Sequence, residues 1–113
     1  MNIKHYEDVK EEQVTKANSK KTTIRWLITD QDGAENFTMR RFEIKPGGEI
    51  GIHEHPEEHE IFILSGKGTL VDQNGAEKDV KAGDVVFVPP GEPHGYKNKY
   101  NEPFAFLCVI PYL

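Results

Sequence analysis

The chain has little of what would commit it to a specialised class. It carries one cysteine, Cys108, among 113 residues. An internal disulfide is therefore excluded, and a lone thiol is compatible with a reducing cytoplasm. No apolar run approaches the roughly 18 residues that a membrane-spanning helix needs. The stretch Met1 to Ser19 lacks an apolar core and is rich in Glu and Lys, so it does not read as a secretory signal. Excess positive charge is missing too: fourteen basic against nineteen acidic residues give a net charge of −5. Non-specific nucleic-acid binding needs a basic face, so that class is set aside. No helical pattern of useful length follows residue 22, which argues against an α/β fold with parallel crossovers. No Ser-His-Asp set, phosphate loop or paired-carboxylate motif stands out.

The length fits one domain with one core. Charged residues are 29% of the chain and hydrophobic ones 36%, a polar balance for a globular protein. The apolar residues nevertheless come in dense runs, which is the mark of a folded chain. Residues 1–21 form a polar N-terminal arm, and Glu7 to Asn18 reads as a short helix, an ordered arm or a solvated extension. Residues 22–113 form the second unit, and its signal is β. Thr22 to Ile28 is a β-branched and aromatic run, and Phe37 to Ile44 alternates bulky with polar residues. Pro46-Gly47-Gly48 is expected to break that strand, with a short one following from Ile50 to His53. His59 to Ser65, Lys67 to Asp72, Glu77 to Val80, Asp84 to Val88, Gly95 to Asn98 and Phe104 to Ile110 complete the set. Gln73-Asn74-Gly75 supplies a tight hairpin turn. About nine short strands at this spacing predict an all-β sandwich or barrel.

Two strands are apolar on both faces. In His59 to Leu64, and again in Phe104 to Ile110, odd and even positions both carry bulky apolar side chains. Successive side chains of a strand point to opposite faces. One face fills the barrel, so the other needs a cover: a second sheet, or the partner of a homodimer, which is the expectation adopted.

Four of the five histidines fall in two groups, His53-x-His55 with His59, and His94. On an extended strand His53 and His55 share a face, about 6.6 Å apart along the chain. His59 follows a turn at Pro56, so three imidazoles converge if the chain doubles back, and His94 must arrive from a distant strand. Imidazole suits Zn, Cu, Fe, Ni and Mn. A surface histidine-rich loop without a specific metal is the plainer alternative.

The glycines and prolines around these histidines carry a resemblance. Gly47, five residues, His53-x-His55, three residues, His59, six residues and Gly66 resemble the first motif of the cupin superfamily. Gly83, Pro89, Gly91, His94 and Asn98 fall on its second motif without a gap. One departure stands out: the motif's Glu is His59 here, with Glu60 one place later. Counting back from Gly66 selects His59, and strand alternation then turns Glu60 to the opposite face. The stretch from His53 to Phe62 resembles small manganese-containing four-histidine cupins.

The resemblance implies a single-domain cupin, a double-stranded β-helix (jelly-roll) barrel. It implies one divalent metal on His53, His55, His59 and His94, with Mn favoured and Fe, Ni, Cu or Zn open. Four neutral imidazoles leave the ion its full charge, which favours anionic or easily deprotonated ligands. Ligand histidines must be neutral, so metal loss is expected below about pH 6. Parity and the resemblance point to a mainly apolar pocket of Arg40, Phe42, Ile50, Tyr96, Phe106, Cys108 and Ile110, with plain core packing as the alternative. Arg40 would be its polar handle or a surface arginine. Tyr96 is the best general-base candidate. Cys108 is a buried inert thiol or, beside a redox metal, an oxidisable one. The activity expected is oxidation or dioxygenation of a small organic molecule. The rivals are non-catalytic binding or sensing, redox-neutral Lewis-acid isomerisation, and a closed structural Zn site.

Overall fold

The structure is a computed structural model and describes residues 1–112. Strand β3, Phe37–His53, is the axis of the molecule. Its first half pairs antiparallel with β2, Lys20–Ile28, on one side and with β9, Phe104–Pro111, on the other. Its second half turns to pair with β8, His94–Lys97. The sheet continues from β8 to β5 (Lys67–Val71) and β6 (Glu77–Lys81), and from β9 to β4 (His59–Ser65) and β7 (Val85–Val88). All pairings are antiparallel, and the sheet curls into the expected all-β barrel. No helix among the described residues is long and apolar enough to cross a membrane.

The expected break at Pro46-Gly47-Gly48 is instead a bend within one continuous strand. Gly47 N–H donates to the Asn98 carbonyl at 2.9 Å and Asn98 N–H to the Gly48 carbonyl at 3.0 Å, so the ladder survives the corner. Gly47 takes a φ of +82°, which glycine adopts freely. Asn98, buried to 1% exposure, fastens the bend. Its side-chain amide donates to the carbonyls of Ile44 (2.9 Å) and Glu102 (2.7 Å) and its oxygen accepts from Tyr100 N–H (2.9 Å).

The alternation of β4 and β9 sorts side chains between inside and outside. Ile61 and Ile63 are buried while Phe62 and Leu64 are exposed. Phe104, Phe106 and Cys108 are buried while Leu107 and Val109 are only partly covered. Inside, Phe42, Phe106 and Tyr96 stack with ring centroids 5.0–5.2 Å apart, and Tyr96 meets His94 edge-on. The hydrophobic core thus runs up to the histidines.

The N-terminal residues form neither a continuous helix nor a free tail. A single 3₁₀ turn at Tyr6–Asp8 leads into β1, Glu11–Gln13, which pairs antiparallel with β2. Val14 is buried in the barrel core. A second 3₁₀ turn, Lys16–Asn18, then packs against β3.

Candidate metal centre

His53 ends β3 and stands opposite His94, the first residue of β8. His59 opens β4. His55 lies beyond the end of β3, in the connection to β4, so the face shared with His53 is set by the loop and not by strand alternation. The four rings converge all the same. Centroids are 5.4 Å apart for His53–His55, 4.7 Å for His53–His94, 4.1 Å for His55–His59, 5.3 Å for His55–His94 and 5.1 Å for His59–His94. Ring nitrogens of His53, His55 and His94 all lie within 4.8 Å of one another, a spacing that lets one divalent ion touch all three. His59, with 3% exposure, points into the same cluster, and Glu60 is exposed on the outer face.

Each ring is tied at Nδ1. His53 Nδ1–H donates to the Gly51 carbonyl at 2.8 Å, His94 to the Glu92 carbonyl at 2.8 Å and His55 to the Glu57 carbonyl at 3.2 Å. A carbonyl can only accept, so these three rings carry their proton on Nδ1 and leave Nε2 as a lone pair. His59 Nδ1 meets the Cys108 sulfur at 2.7 Å and Arg40 Nη2 at 3.2 Å. Arg40 can only donate, and it also donates to Cys108 Sγ at 3.0 Å. His59 Nδ1 therefore accepts from Arg40, which puts the His59 proton on Nε2, 2.5 Å from His55 Nε2. Nε2 of His94 is buried without any hydrogen-bond partner. An orphaned buried nitrogen beside two rings of the same tautomer, all within 4.8 Å of one another, is what a metal ligand set requires, so His53, His55 and His94 fit a divalent ion, with His59 against them.

Electrostatics agree with that fit. Burial pushes His59 down to about 2 and His94 down to about 4, and lowers His53 and His55 as well. All four are neutral near pH 7, the form a metal binds.

Above the rings is a narrow recess lined by Lys16, Arg40, Phe42, Ile50, His53, His55, His59 and Tyr96, with a volume of about 10 Å³. That is room for one water. Phe106 lies behind it in the core, Cys108 behind His59 as its hydrogen-bond partner, and Ile110 half-buried against the core. Arg40 is a buried residue, 3% exposed, lying over the Phe42 ring at 5.0 Å. Tyr96 is buried, and burial pushes its phenol up, away from general-base duty. Burial likewise pushes the Cys108 thiol up, against the opposing pull of Arg40.

Sequence reasoning missed Lys16, which the arm brings to the recess. One signal was available. A glycine inside a strand marks a place where another backbone comes close. Gly51, in the histidine-bearing end of β3, is such a glycine: a Cβ there would collide with the Ala17 carbonyl oxygen.

Residues 40–110 match the family model described as the Cupin domain, well over half the chain. The chain is a cupin. Over 71 residues this cupin is 44% identical to the oxalate-binding protein of Thermotoga maritima, covering 62% of this chain and 58% of that one. It is 31% identical over 72 residues to 1-methylthio-D-xylulose 5-phosphate methylsulfurylase of Rhodospirillum rubrum, covering 64% of this chain and 46% of the relative. The matches take in about half the length of these curated relatives. Among solved structures, the polyketide cyclase RemF from Streptomyces resistomycificus superposes with a TM-score of 0.93 at 40% identity, covering 98% of this chain and 79% of that one.

Proposed function

We propose that this cupin holds one divalent transition metal, Mn²⁺ by preference, on His53, His55, His59 and His94, and that it binds a small organic molecule there for redox-neutral chemistry. The observation that supports the reading is the set of three Nδ1 contacts to main-chain carbonyls, which leaves Nε2 lone pairs on His53, His55 and His94 within one cluster, with His59 Nε2 against His55. When bound, such an ion supplies Lewis-acid polarisation of a ligand oxygen. The chain's own part is to hold three of the rings in one tautomer, exclude bulk water and present Arg40 and Lys16 at the recess.

Redox-neutral activation is preferred to oxidation on the names of similar proteins. RemF is named for a cyclisation, and the Thermotoga relative for binding. The second reading, reversible binding without turnover, rests on the likeness to that oxalate-binding protein. A titration of metal-loaded protein with oxalate and with small β-dicarbonyl compounds, followed by product analysis and an oxygen electrode, tests the proposal. Metal-dependent conversion without oxygen uptake is expected. Saturable binding without conversion selects the second reading, and oxygen uptake selects the dioxygenase.

A second copy of the chain is the proposed cover for the outer face of β4, β7 and β9. There Phe62, Leu64, Val85 and Phe87 are exposed at 37–74%, beside Leu107 and Val109. Sedimentation at micromolar concentration should give a dimer, and a monomer would contradict this.

A further inference from the structure

The arm crosses the mouth of the histidine cluster at its second 3₁₀ turn, and the crossing is built into the backbone. Ala17 and Asn18 hold φ values of +54° and +56°, the left-handed region that an alanine rarely adopts. Gly51 lacks the Cβ that would strike the Ala17 carbonyl, so the turn can lie directly on the histidine-bearing strand. The result is to set Lys16 at the recess, beside Arg40 and the imidazoles.

That placement is electrostatically one-sided. Two cationic side chains, Lys16 and Arg40, line the recess, and no carboxylate does. Among the described residues Lys16 makes no ion pair, and no hydrogen bond of its ammonium group is present. Arg40 keeps a buried Nε without a partner. Lys16 is exposed as a residue, yet partial desolvation and the positive charge of Arg40 both lower its pKa. Lys16 and Phe42 also line a neighbouring groove of about 240 Å³ with Glu12, Val14, Ile24 and Trp26. Lys16 therefore stands between that groove and the recess. Glu57 pulls on Lys16 from nearby but neither pairs with it nor lines the recess, so two like charges at the recess favour an anion from outside the chain.

We propose that Lys16 is the residue by which the arm recognises a small dianionic oxygen ligand of the dicarboxylate class at the histidine cluster. The inference rests on the metal reading above and adds what that reading lacks, the ligand's charge and a specificity residue outside the barrel. With room for one water in the recess, a dicarboxylate would place one oxygen there and lie with its other, charged end out by Lys16 along the neighbouring groove. A neutral ligand of the cluster has no use for Lys16.

Isothermal titration at pH 8 of Mn-loaded wild-type, Lys16→Gln and Lys16→Arg proteins separates the possibilities, with oxalate as the dianion and imidazole as the neutral probe. Metal content is measured alongside. Loss of one charge-assisted contact should weaken oxalate binding by about 10- to 100-fold in Lys16→Gln. Lys16→Arg should recover most of it, imidazole affinity should stay within about twofold, and metal content should not change. Unchanged oxalate affinity in Lys16→Gln, a parallel loss for both probes, or no oxalate binding by loaded wild-type protein would overturn the inference and leave the metal reading standing. Wild-type protein that takes up no metal would overturn both.

Discussion

The barrel end and the arm that lies on it are held by different physics. At the barrel end, three of the four ring orientations are fixed by main-chain carbonyls within two residues in sequence: Gly51, Glu57 and Glu92. Those acceptors move only if the strand ends move. The arm is held by a three-residue ladder of β1 on β2, by buried Val14 and by side chains reaching across from elsewhere. Arg25 Nη1 donates to the carbonyls of Val9 (2.6 Å), Glu7 (3.3 Å) and Tyr6 (3.4 Å), and Arg41 lies over the Tyr6 ring at 4.4 Å. Lys4 pairs with Asp32 at 2.8 Å. One region is pre-organised by main-chain acceptors next to each ring, and the other combines a short ladder with contacts that substitution can remove.

The largest effect expected in breaking this comparison is at the barrel end. His94→Ala removes a buried ligand opposite His53, and metal affinity should fall by more than 100-fold by competition with a chelator, while the arm keeps its protection from protease. Acid comes next. The folded pKa values of His59 and His94 lie below the ordinary value near 6.5, so the unfolded chain binds protons first as pH falls. Stability from these groups is whole above about pH 6.5 and is lost toward pH 4, by up to about 1.4 kcal/mol per pH unit for each histidine. Urea titrations of metal-free protein across that range should show the slope. Arg25 holds the arm through main-chain carbonyls, which do not titrate, so the arm should not release ahead of the barrel.

Gly51→Ala attacks the arm. Its Cβ displaces the Ala17 carbonyl and should cost about 1–3 kcal/mol, read as a lower Tm and faster proteolysis within residues 1–19. Metal content should hold, because the Gly51 carbonyl that orients His53 is main chain. Cys108→Ala is the smallest. It deletes the sulfur that contacts His59 Nδ1 and accepts from Arg40, loosening the hold on the His59 ring, and should weaken metal binding about tenfold without loss of stoichiometry at saturating metal.

The two regions also differ in how legible they were. Turn glycines, strand alternation and the His-x-His spacing mark the barrel and its histidines because each is a local rule. The glycine–histidine spacing selects His59 over Glu60, and the structure buries the first and exposes the second. The bend at Pro46-Gly47-Gly48 was read as a break because its continuity depends on Asn98, fifty residues on, closing the ladder from another strand. His55 shows the converse, a convergence reached through a loop that alternation does not govern. The arm was illegible because nothing in Lys16–Asn18 announces a left-handed turn. Its conformation is imposed by packing on Gly51, a contact that no local pattern encodes.

The central claim is that four histidines, His59 among them, form one metal centre. Elemental mass spectrometry of wild-type, His59→Ala and Glu60→Ala proteins, purified without a chelating resin, addresses it directly. The account predicts about one divalent transition metal per chain in wild-type and Glu60→Ala protein and most of it gone in His59→Ala. Metal retained in His59→Ala and lost in Glu60→Ala would contradict it.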